Sequence, residues 1–405
     1  MKIAVVGQGY VGLTVAVGAA AAAGHTVVGF DINPSLINEL KHGNTHVPGI
    51  ESSELIRLMD NNIYIPTTDP ESLLGMEIIV IAVPTPLDVN KNPDLKYLED
   101  ASTLIANTLS SGALIINEST SFPGTLRELI KPIFDKNSKF SFEFASAPER
   151  VDPANSDWVL KNTPRIIGGL TESATDKAAH FYRSFCDHVH IVSCPEVAES
   201  AKLFENTFRQ VNIALVNEFS KVAFKLGFST HEVINAASTK PFGFMPFYPS
   251  IGVGGHCIPV DPTYLSYIAD RNHVETEFIK LANKTNLEMI DFIVSRISSE
   301  LNGNLKGARI QIVGIAYKPD VADLRESPAL SLIKNLKDLG ASVTWFDPIV
   351  VTDLPGRSVS LDLNIDLGLI VTPHSSIDFS IWKGNSLKVL DLSSTKKCYG
   401  WPKFL

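Results

Sequence analysis

The residues best suited to covalent chemistry lie in one glycine-rich segment, Gly252–Pro262 (GVGGHCIPVDP), which contains Cys257, His256 and Asp261. A cysteine thiolate can attack an aldehyde to give a thiohemiacetal, which can lose a hydride and become a thioester that water hydrolyses. The segment therefore points to oxidation of an alcohol to an acid without release of the aldehyde. A buried structural cysteine beside a glycine turn explains this segment alone about equally well.

A second group of polar residues follows a helical spacing. Lys202 and Asn206 are four residues apart and Arg209 is three further on, within an otherwise largely apolar helical stretch. This spacing places the three side chains on one face, where they could stabilise an alkoxide or another oxyanion. A solvated helix face is the more ordinary interpretation of the same pattern.

Two short polar segments follow predicted strands, Glu118–Thr120 (EST) and Pro148–Arg150 (PER). Active-site groups collect at the carboxyl ends of parallel strands. Glu149 could therefore act as the general base for thioester hydrolysis. Each segment could equally cap a helix or form a surface ion pair.

A cofactor motif, Gly7–Gly12 (GQGYVG), stands between the first predicted strand and a helix, and Asp31 ends the next strand. Gly7 would permit the tight turn, Gly9 the approach of a pyrophosphate, and Gly12 the packing of helix on strand. Asp31 would accept hydrogen bonds from ribose hydroxyls and repel a 2′-phosphate, which favours NAD over NADP. The alternative is a glycine-rich turn that binds nothing.

The segment Val83–Pro86 (VPTP) follows another predicted strand, so Pro84 and Thr85 would form a fixed loop beside the nicotinamide ribose. Proline-rich turns are common, and the segment carries little weight by itself.

The predicted elements have α/β order. Strands at Lys2–Val6, Thr26–Phe30, Ile78–Val83, Ala113–Ile116 and Arg165–Ile167 alternate with helical stretches, which predicts a doubly wound parallel sheet. One long helix is predicted over Pro195–Leu226. The βαβ order then returns, with a strand at Ala308–Val313, a helix at Glu326–Leu339, and strands at Val343–Phe346 and near Leu369 and Leu387. We therefore expect two Rossmann-like doubly wound domains joined by a long central helix, with boundaries at 1–194, 195–300 and 301–405.

Composition narrows the class of protein further. The chain has 405 residues and a formal net charge of −9, which argues against a nucleic-acid or anionic membrane partner. Its four cysteines lack C-x-x-C spacing, so we expect reduced thiols, no bound metal and a cytoplasmic location. The apolar stretch Val11–Gly24 is too short to span a bilayer.

Taken together, these motifs resemble the UDP-glucose/GDP-mannose dehydrogenase family over essentially the full length. The matching segments are Gly7–Gly12, Val83–Pro86, Glu118–Thr120, Pro148–Arg150, Lys202–Asn206 (KLFEN), Gly254–Pro262 and Gly314–Pro328 (GIAYKPDVADLRESP). The resemblance implies an NAD-binding first domain, a long helix in a homodimer interface, and a third domain that helps to bind UDP. It also implies a site shared across domains and a product that supplies cell-surface polysaccharide synthesis.

The resemblance also implies roles for individual residues. Cys257 would be the nucleophile, and Lys202 and Asp261 would handle protons and stabilise the oxyanion. Glu149 and Thr120 would work with the hydrolytic water, and Asn206 would hold the sugar or its oxyanion. The cofactor-binding set would be Gly7, Gly9, Tyr10, Val11, Gly12, Asp31, Pro84, Thr85, Thr120 and Arg325, the last reaching the pyrophosphate across the dimer. The substrate-binding set would be Glu149, Arg150, Lys202, Asn206, Arg209, Lys240, Phe247, Tyr248, Gly254 and Lys318.

Within the family, Lys240–Tyr248 (KPFGFMPFY), His256 and Val260 resemble the branch that acts on UDP-N-acetylhexosamines, especially UDP-N-acetylglucosamine. The UDP-glucose branch typically has serine and lysine at 256 and 260. The chain departs from the acetamido branch at Ser250–Gly252, where that branch often has Gly-Pro-Gly, and at Val151, where it has an acidic residue. UDP-glucose and UDP-N-acetylmannosamine therefore stay as alternative substrates.

Two other classes of protein share parts of this pattern. A single-step NAD-dependent hydroxyacid dehydrogenase would explain the Rossmann start and the long helix, but not the cysteine segment or the third domain. A non-catalytic NAD-binding protein would leave Cys257, Lys202, Asp261 and Glu149 without a purpose.

Overall fold

The computed structural model describes residues 1–22, 24–152, 155, 157–255, 257–385, 387–395 and 399–405. The chain forms two compact units, Met1–Glu205 with Thr263–Val274 and Asn206–Pro262 with Glu275–Leu405. The strands are β1 (Lys2–Val6), β2 (Thr26–Phe30), β3 (Tyr64–Thr67), β4 (Ile78–Ile81), β5 (Leu114–Asn117), β6 (Glu143–Ser146), β7 (Arg165–Gly169), β8 (Val189–Ile191), β9 (Arg309–Val313), β10 (Ser342–Phe346), β11 (Leu367–Ile370) and β12 (Val389–Asp391). The α-helices are α1 (Tyr10–Ala21), α2 (Pro34–Lys41), α3 (Ser52–Asp60), α4 (Lys96–Thr108), α5 (Lys131–Asn137), α6 (Glu172–Arg183), α7 (Pro195–Leu226), α8 (Thr230–Ala237), α9 (Asp261–Arg271), α10 (Glu277–Leu287), α11 (Met289–Glu300), α12 (Pro328–Asp338) and α13 (Ser380–Gly384).

The first unit is built on an eight-stranded sheet of order β3-β2-β1-β4-β5-β6-β7-β8. Side chains alternate along β1: Ile3 and Val5 pack in the core under α1, α3 and α6, whereas Ala4 and Val6 pack in the core under α4 and α5. This two-sided burial is the reason that the strand is apolar at consecutive positions. The predicted doubly wound α/β fold is confirmed.

The prediction of an all-parallel first sheet is wrong at one place. Strand β7 pairs antiparallel with β6 through Ala145 opposite Gly169 and Ser146 opposite Gly168, and β8 then runs parallel to β7. Strands β3 and β8 are not among the predicted elements, and the strand expected before Pro148 (β6) was predicted without bounds. They are three or four residues long and carry Pro66, Glu143 and His190, which break the apolar signal.

The predicted long helix is confirmed as α7, which spans Pro195–Leu226. The helix is followed by Gly227, whose φ of 78° is in the left-handed region that favours glycine. The N–H of Gly227 donates to the carbonyl of Ala223, which satisfies one carbonyl of the last turn.

The second unit contains a four-stranded parallel sheet of order β10-β9-β11-β12. Ile310 and Ile312 of β9 pack against α11 and α12, and Val313 packs with Trp382 of α13 on the other side. The second Rossmann-like domain is therefore confirmed, and the long helix lies between the two sheets in the sequence.

Several predicted bounds need correction. The helix predicted from Glu326 begins at Pro328, because Glu326 has a φ of 50° and Ser327 is extended at the N-cap position. The strand predicted to reach Val83 ends at Ile81, and the first helix, predicted to end at Gly24, ends at Ala21. No helix within the described part of the chain is long and apolar enough to cross a membrane.

Candidate active site

The glycine loop between β1 and α1 has the shape that a dinucleotide needs. Gly7 has a φ of 93°, and a Cβ there would press on the Ala82 carbonyl. A Cβ on Gly12 would overlap the carbonyl oxygen of Gly7, so the helix can approach the strand only without a side chain. At Gly9 no atom of the described residues lies within 4 Å of a built Cβ. The loop thus leaves open space at the N-terminus of α1, where helix N–H groups attract a phosphate.

Asp31 follows β2 and lies beside this loop. Its Oδ2 accepts the Gln8 N–H at 2.7 Å, and its Oδ1 accepts the Asn33 N–H at 2.9 Å. The buried Gln8 side chain donates to the Val5 carbonyl and accepts from the Tyr64 hydroxyl at 2.7 Å. These contacts fix the loop and the carboxylate together, and the residues present fit the adenosine and pyrophosphate of NAD.

The loops after β4 and β5 are joined by one side chain. The Ser119 hydroxyl accepts the Val83 N–H at 2.9 Å and lies 2.8 Å from the Val83 carbonyl. The Tyr264 hydroxyl lies 3.1 Å from the carbonyl of Thr85. Pro84 is exposed, whereas Thr85 and Thr120 are half-buried. Both loops follow the carboxyl ends of adjacent strands, as predicted.

Glu149 is buried and its carboxylate is held by three donors. Oε1 accepts the N–H groups of Arg150 and Val151 at 2.6 and 2.7 Å, and Oε2 accepts from Arg165 at 2.8 Å. Burial would raise the pKa of Glu149, but Arg165 and the Val151 N–H outweigh it and hold the pKa below its ordinary value. The interpretation of Glu149 as a surface ion pair is therefore wrong.

Arg165 also faces Glu118, whose Oε2 lies 3.5 Å from the guanidinium. Burial raises the pKa of Glu118 to about 7, against the opposing effect of Arg165. The Tyr182 hydroxyl donates to the other oxygen of Glu118. The first unit thus contains a buried cluster of two carboxylates and one guanidinium.

The polar residues of α7 do not share one environment. Lys202 is 9% exposed and Asn206 is 8% exposed, whereas Arg209 is exposed to solvent. The solvated-face interpretation is therefore wrong for Lys202 and Asn206, and the expected grouping of Arg209 with them is not observed. In the second unit the Asn206 amide donates to Oδ2 of Asp261 at 2.6 Å, and Asp261 is 2% exposed.

The cysteine segment exposes its thiol. Cys257 is exposed, so the interpretation as a buried structural cysteine is wrong. Gly255 has a φ of 83°, and its N–H donates to the Arg325 carbonyl at 3.0 Å. A Cβ on Gly254 would lie 2.8 Å from the Glu326 carbonyl oxygen. Glycine is thus needed for this segment to pack against residues 325–328, and His256 lies outside the described residues.

The other residues predicted to bind substrate have these environments. Arg150 pairs with Glu205, and Arg325 pairs with the neighbouring Asp323. The exposed Lys240 ammonium lies 4.8 Å from the centroid of the Phe242 ring. The remaining contacts are the Phe247 ring packed edge-on to Phe208 and the Tyr248 hydroxyl 3.0 Å from Oδ1 of Asn235, while Lys318 is half-buried.

Sequence reasoning missed Arg165 and Tyr182 as parts of the site. Arg165 was visible only as the first residue of a predicted strand, and Tyr182 lies in a helix whose bounds were not predicted. A charged side chain at the start of an apolar strand is the signal that could have indicated a buried partner.

Comparison with known proteins gives the class. The chain matches the NAD binding domain of the UDP-glucose/GDP-mannose dehydrogenase family over residues 1–186, its central domain over 196–288 and its UDP binding domain over 311–384. It is 35% identical over 358 residues to a UDP-N-acetyl-D-glucosamine 6-dehydrogenase of Pseudomonas aeruginosa, covering 86% of this chain and 83% of the relative. It is 37% identical over 400 residues to a UDP-N-acetyl-D-mannosamine dehydrogenase of Pyrococcus horikoshii, covering 96% and 93%. A solved structure of UDP-D-ManNAc dehydrogenase from Pyrococcus horikoshii superposes with a TM-score of 0.87 at 34% identity, covering 99% of this chain and 98% of the other.

The chain therefore belongs to the UDP-glucose/GDP-mannose dehydrogenase family. It is an NAD-dependent UDP-sugar dehydrogenase. This assignment supports the predicted family. It disfavours the two alternative classes, a single-step hydroxyacid dehydrogenase and a non-catalytic NAD-binding protein. Among the described residues, no cluster of three or more His, Cys, Asp or Glu side chains could hold a metal ion.

Proposed function

We propose that the protein oxidises the C6 hydroxyl of a UDP-N-acetylhexosamine, with UDP-N-acetylglucosamine as the first candidate, to the uronic acid. The observation that carries the proposal is the exposed thiol of Cys257 in a glycine-rich segment. An exposed thiol can add to an aldehyde, and a buried one cannot. A cysteine adduct is what allows a second oxidation of the same carbon before the aldehyde escapes.

The proposed reaction has four steps. Lys202 and Asp261, with a water, take the proton of the C6 hydroxyl as its carbon loses a hydride. The Cys257 thiolate then adds to the aldehyde, and the thiohemiacetal loses a second hydride to become a thioester. NAD, when bound, accepts each hydride, so two are consumed per sugar. Water then attacks the thioester, Glu149 takes its proton with Thr120 beside it, and the thiol and the acid are released.

Binding roles complete the proposal. Asn206 holds the sugar or its oxyanion, and its amide is already directed by Asp261. Lys318 contacts the nucleotide and Arg325 approaches the pyrophosphate of the cofactor. The expected sugar-binding set also includes Arg150, Arg209, Lys240, Phe247, Tyr248 and Gly254. The proposed domain division is 1–194, 195–300 and 301–405.

A second candidate substrate is UDP-N-acetylmannosamine. Two relatives named for this sugar are 37% identical to the chain, against 35% for a relative named for UDP-N-acetylglucosamine. Differences of this size do not separate two epimers, because the choice depends on a few contacts within one pocket. UDP-glucose is the third candidate.

We also propose that the protein is a homodimer that pairs through α7. Apolar residues on this helix recur at alternating spacings of four and three: Val197, Ala201, Phe204, Phe208, Val211 and Leu215, with Val222 one heptad later. Phe204 is 68% exposed and Leu215 is 65% exposed. An exposed apolar heptad seam of this kind is typical of a helix that packs on a second copy.

Cys257→Ser tests the covalent scheme. A serine hydroxyl is a far weaker nucleophile than a thiolate, so acid formation should fall by roughly 10³-fold or more. At most one NADH should then form per sugar consumed. The matched control is Cys194→Ser, at a half-buried cysteine outside the proposed site, which should keep wild-type acid formation. Wild-type acid production by Cys257→Ser would refute the covalent scheme.

A further inference from the structure

Glu118 has no role in the proposed reaction. Both Glu118 and the proposed base Glu149, however, face the buried guanidinium of Arg165. Arg165 is 3% exposed, and its two terminal nitrogens face different carboxylates. Nη2 lies 2.8 Å from Glu149, and Nη1 lies 3.5 Å from Glu118. Two carboxylates thus compete for one guanidinium where water does not screen their charges.

The hydrogen bonds of Glu149 show what the shared cation does. Oε1 accepts two backbone N–H groups, and Oε2 accepts one bond from Arg165. A carboxylate oxygen accepts about two hydrogen bonds, so Oε2 can accept one bond besides that from Arg165, and the proposed hydrolysis assigns that bond to a water. The strength of the Arg165 bond therefore acts directly on the oxygen that would take the proton of that water.

Glu118 is held in place independently of Glu149. The Tyr182 hydroxyl donates to Oε1 of Glu118, and the Tyr182 ring lies 4.9 Å from the Arg165 guanidinium carbon. Among the described residues, Oε2 of Glu118 has no hydrogen-bond partner, although Arg165 lies 3.5 Å away. Because burial raises the pKa of Glu118 to about 7, this carboxyl group gains or loses its proton near neutral pH.

We propose that Glu118 is a positioning residue that sets the base strength of Glu149 through the Arg165 guanidinium they share. The proposal rests on the proposed function, because it assigns Glu149 to hydrolysis of the thioester. When Glu118 is protonated, Arg165 serves Glu149 alone and weakens it as a base. When Glu118 is ionised, Arg165 is divided between two anions and Glu149 becomes a stronger base.

Other charged or titratable groups face this cluster and belong to the same balance. They are Lys202 on α7, Tyr182 on α6, Cys186 just after α6, and Tyr10 at the start of α1. Burial raises the pKa of Cys186 to about 11 and that of Tyr10 to about 12, so both stay neutral near pH 7. Of Glu118, Cys186 and Tyr10, it is therefore Glu118 whose charge changes near neutrality.

The decisive variant is Glu118→Gln, which fixes the neutral form and keeps an oxygen for the Tyr182 hydroxyl. Labelled UDP-N-acetylglucosamine, or whichever candidate sugar is turned over, is mixed with excess enzyme and NAD. Decay of protein-bound label then reports hydrolysis of the thioester. The variant should match the wild type at pH 6 and be about threefold slower at pH 8.5, because a weaker base abstracts the proton more slowly. The control is Glu143→Gln, on the strand that precedes Glu149, which should leave the rate ratio unchanged at both pH values.

Each other outcome overturns the inference. A rate ratio that is the same at pH 6 and pH 8.5, whether unity or below it, assigns Glu118 a structural role alone. A second pair of variants tests the role of Arg165. In Arg165→Met, the acid limb of the pH–rate profile for thioester hydrolysis should move up by roughly one to three pH units. Arg165→Lys should restore most of that shift. Failure of the proposed function would appear separately, as one NADH per sugar and no protein-bound label in the wild type.

Discussion

At the residue scale, Asp31 connects the shape of the glycine loop to the choice of cofactor. Its carboxylate accepts the Gln8 and Asn33 N–H groups and stays next to the loop that would hold the pyrophosphate. A phosphate on the adenine ribose would bring two negative charges to this carboxylate. We therefore predict that charge repulsion by Asp31 disfavours NADP.

Asp31→Asn should reduce this discrimination. Loss of the charge removes the repulsion and weakens the bonds to the ribose hydroxyls, so the ratio of kcat/KM for NAD to that for NADP should fall about tenfold or more. Steady-state kinetics with each cofactor measure the ratio. Asp60→Asn, at an exposed aspartate on α3, serves as the control. An unchanged ratio in Asp31→Asn would mean that another group selects the cofactor.

The residues of the candidate site differ in how well the sequence predicts them. Gly7 and Gly12 could be assigned because the reasons for glycine there are local: a positive φ at one and a close approach to the neighbouring turn at the other. Arg165 could not be assigned. Its partners Glu118 and Glu149 come from two other strand ends, and only the sheet order β5-β6-β7 brings the three together.

At the element scale, α7 is the feature that the sequence predicted best. Its bounds at Pro195 and Leu226 follow from local signals, a proline at the start and a glycine after the end. The strand β8 was missed and β6 was predicted without bounds, because each depends on its neighbours in the sheet. The antiparallel pairing of β7 with β6 likewise has no local signal, because strand direction is set by the connection.

The exposed seam of α7 can be tested by one substitution. Leu215→Asp places a charge at an apolar position that is 65% exposed, and burying that charge in a dimer would cost several kcal/mol. Light scattering after size exclusion should show a dimer for the wild type and a monomer for this variant at micromolar concentration. Leu74→Asp, at another exposed leucine, should stay dimeric. A dimeric Leu215→Asp would place the interface elsewhere.

The buried Glu199 of α7 holds the loop after Thr120. Its carboxylate accepts the N–H groups of Gly124 and Leu126 at 2.7 and 3.2 Å. Burial raises the pKa of Glu199 to about 8, against the two backbone N–H groups. The unfolded chain loses this proton near pH 4.5, so the folded state is progressively less stable as the pH rises from about 5 to 8.

Glu199→Gln should remove this pH dependence. Relative to the wild type, the variant should gain stability between pH 5.5 and pH 8.5, because glutamine has no proton to lose. Urea midpoints at the two pH values measure the difference. Glu275→Gln, in the exposed loop before α10, is the control. A wild-type-minus-variant difference that stays constant with pH would show that Glu199 is ionised in the folded protein throughout.

At the scale of the whole molecule, both units contain the βαβ order. Each has an aspartate after its next strand, but the two aspartates have different surroundings. In both units a glycine with positive φ follows the first strand, Gly7 with a φ of 93° and Gly314 with a φ of 80°. Asp31 and Asp347 both follow the next strand. Asp347, however, is buried, and it accepts the Ile315 N–H and the His374 Nε2–H, both at 2.9 Å. Both carboxylates thus bond to the loop after the first strand, but only Asp347 of the two is buried and bonded to a histidine, a difference that the strand pattern alone does not reveal.

The central claim is a four-electron oxidation of an acetamido UDP-sugar, and the count of NADH per sugar tests it most directly. Purified protein with excess NAD is given limiting UDP-N-acetylglucosamine, UDP-N-acetylmannosamine or UDP-glucose in separate reactions. We predict two NADH and one uronic acid per molecule of UDP-N-acetylglucosamine. Two NADH with UDP-N-acetylmannosamine alone would reassign the epimer. One NADH per sugar, or two with UDP-glucose alone, would contradict the claim.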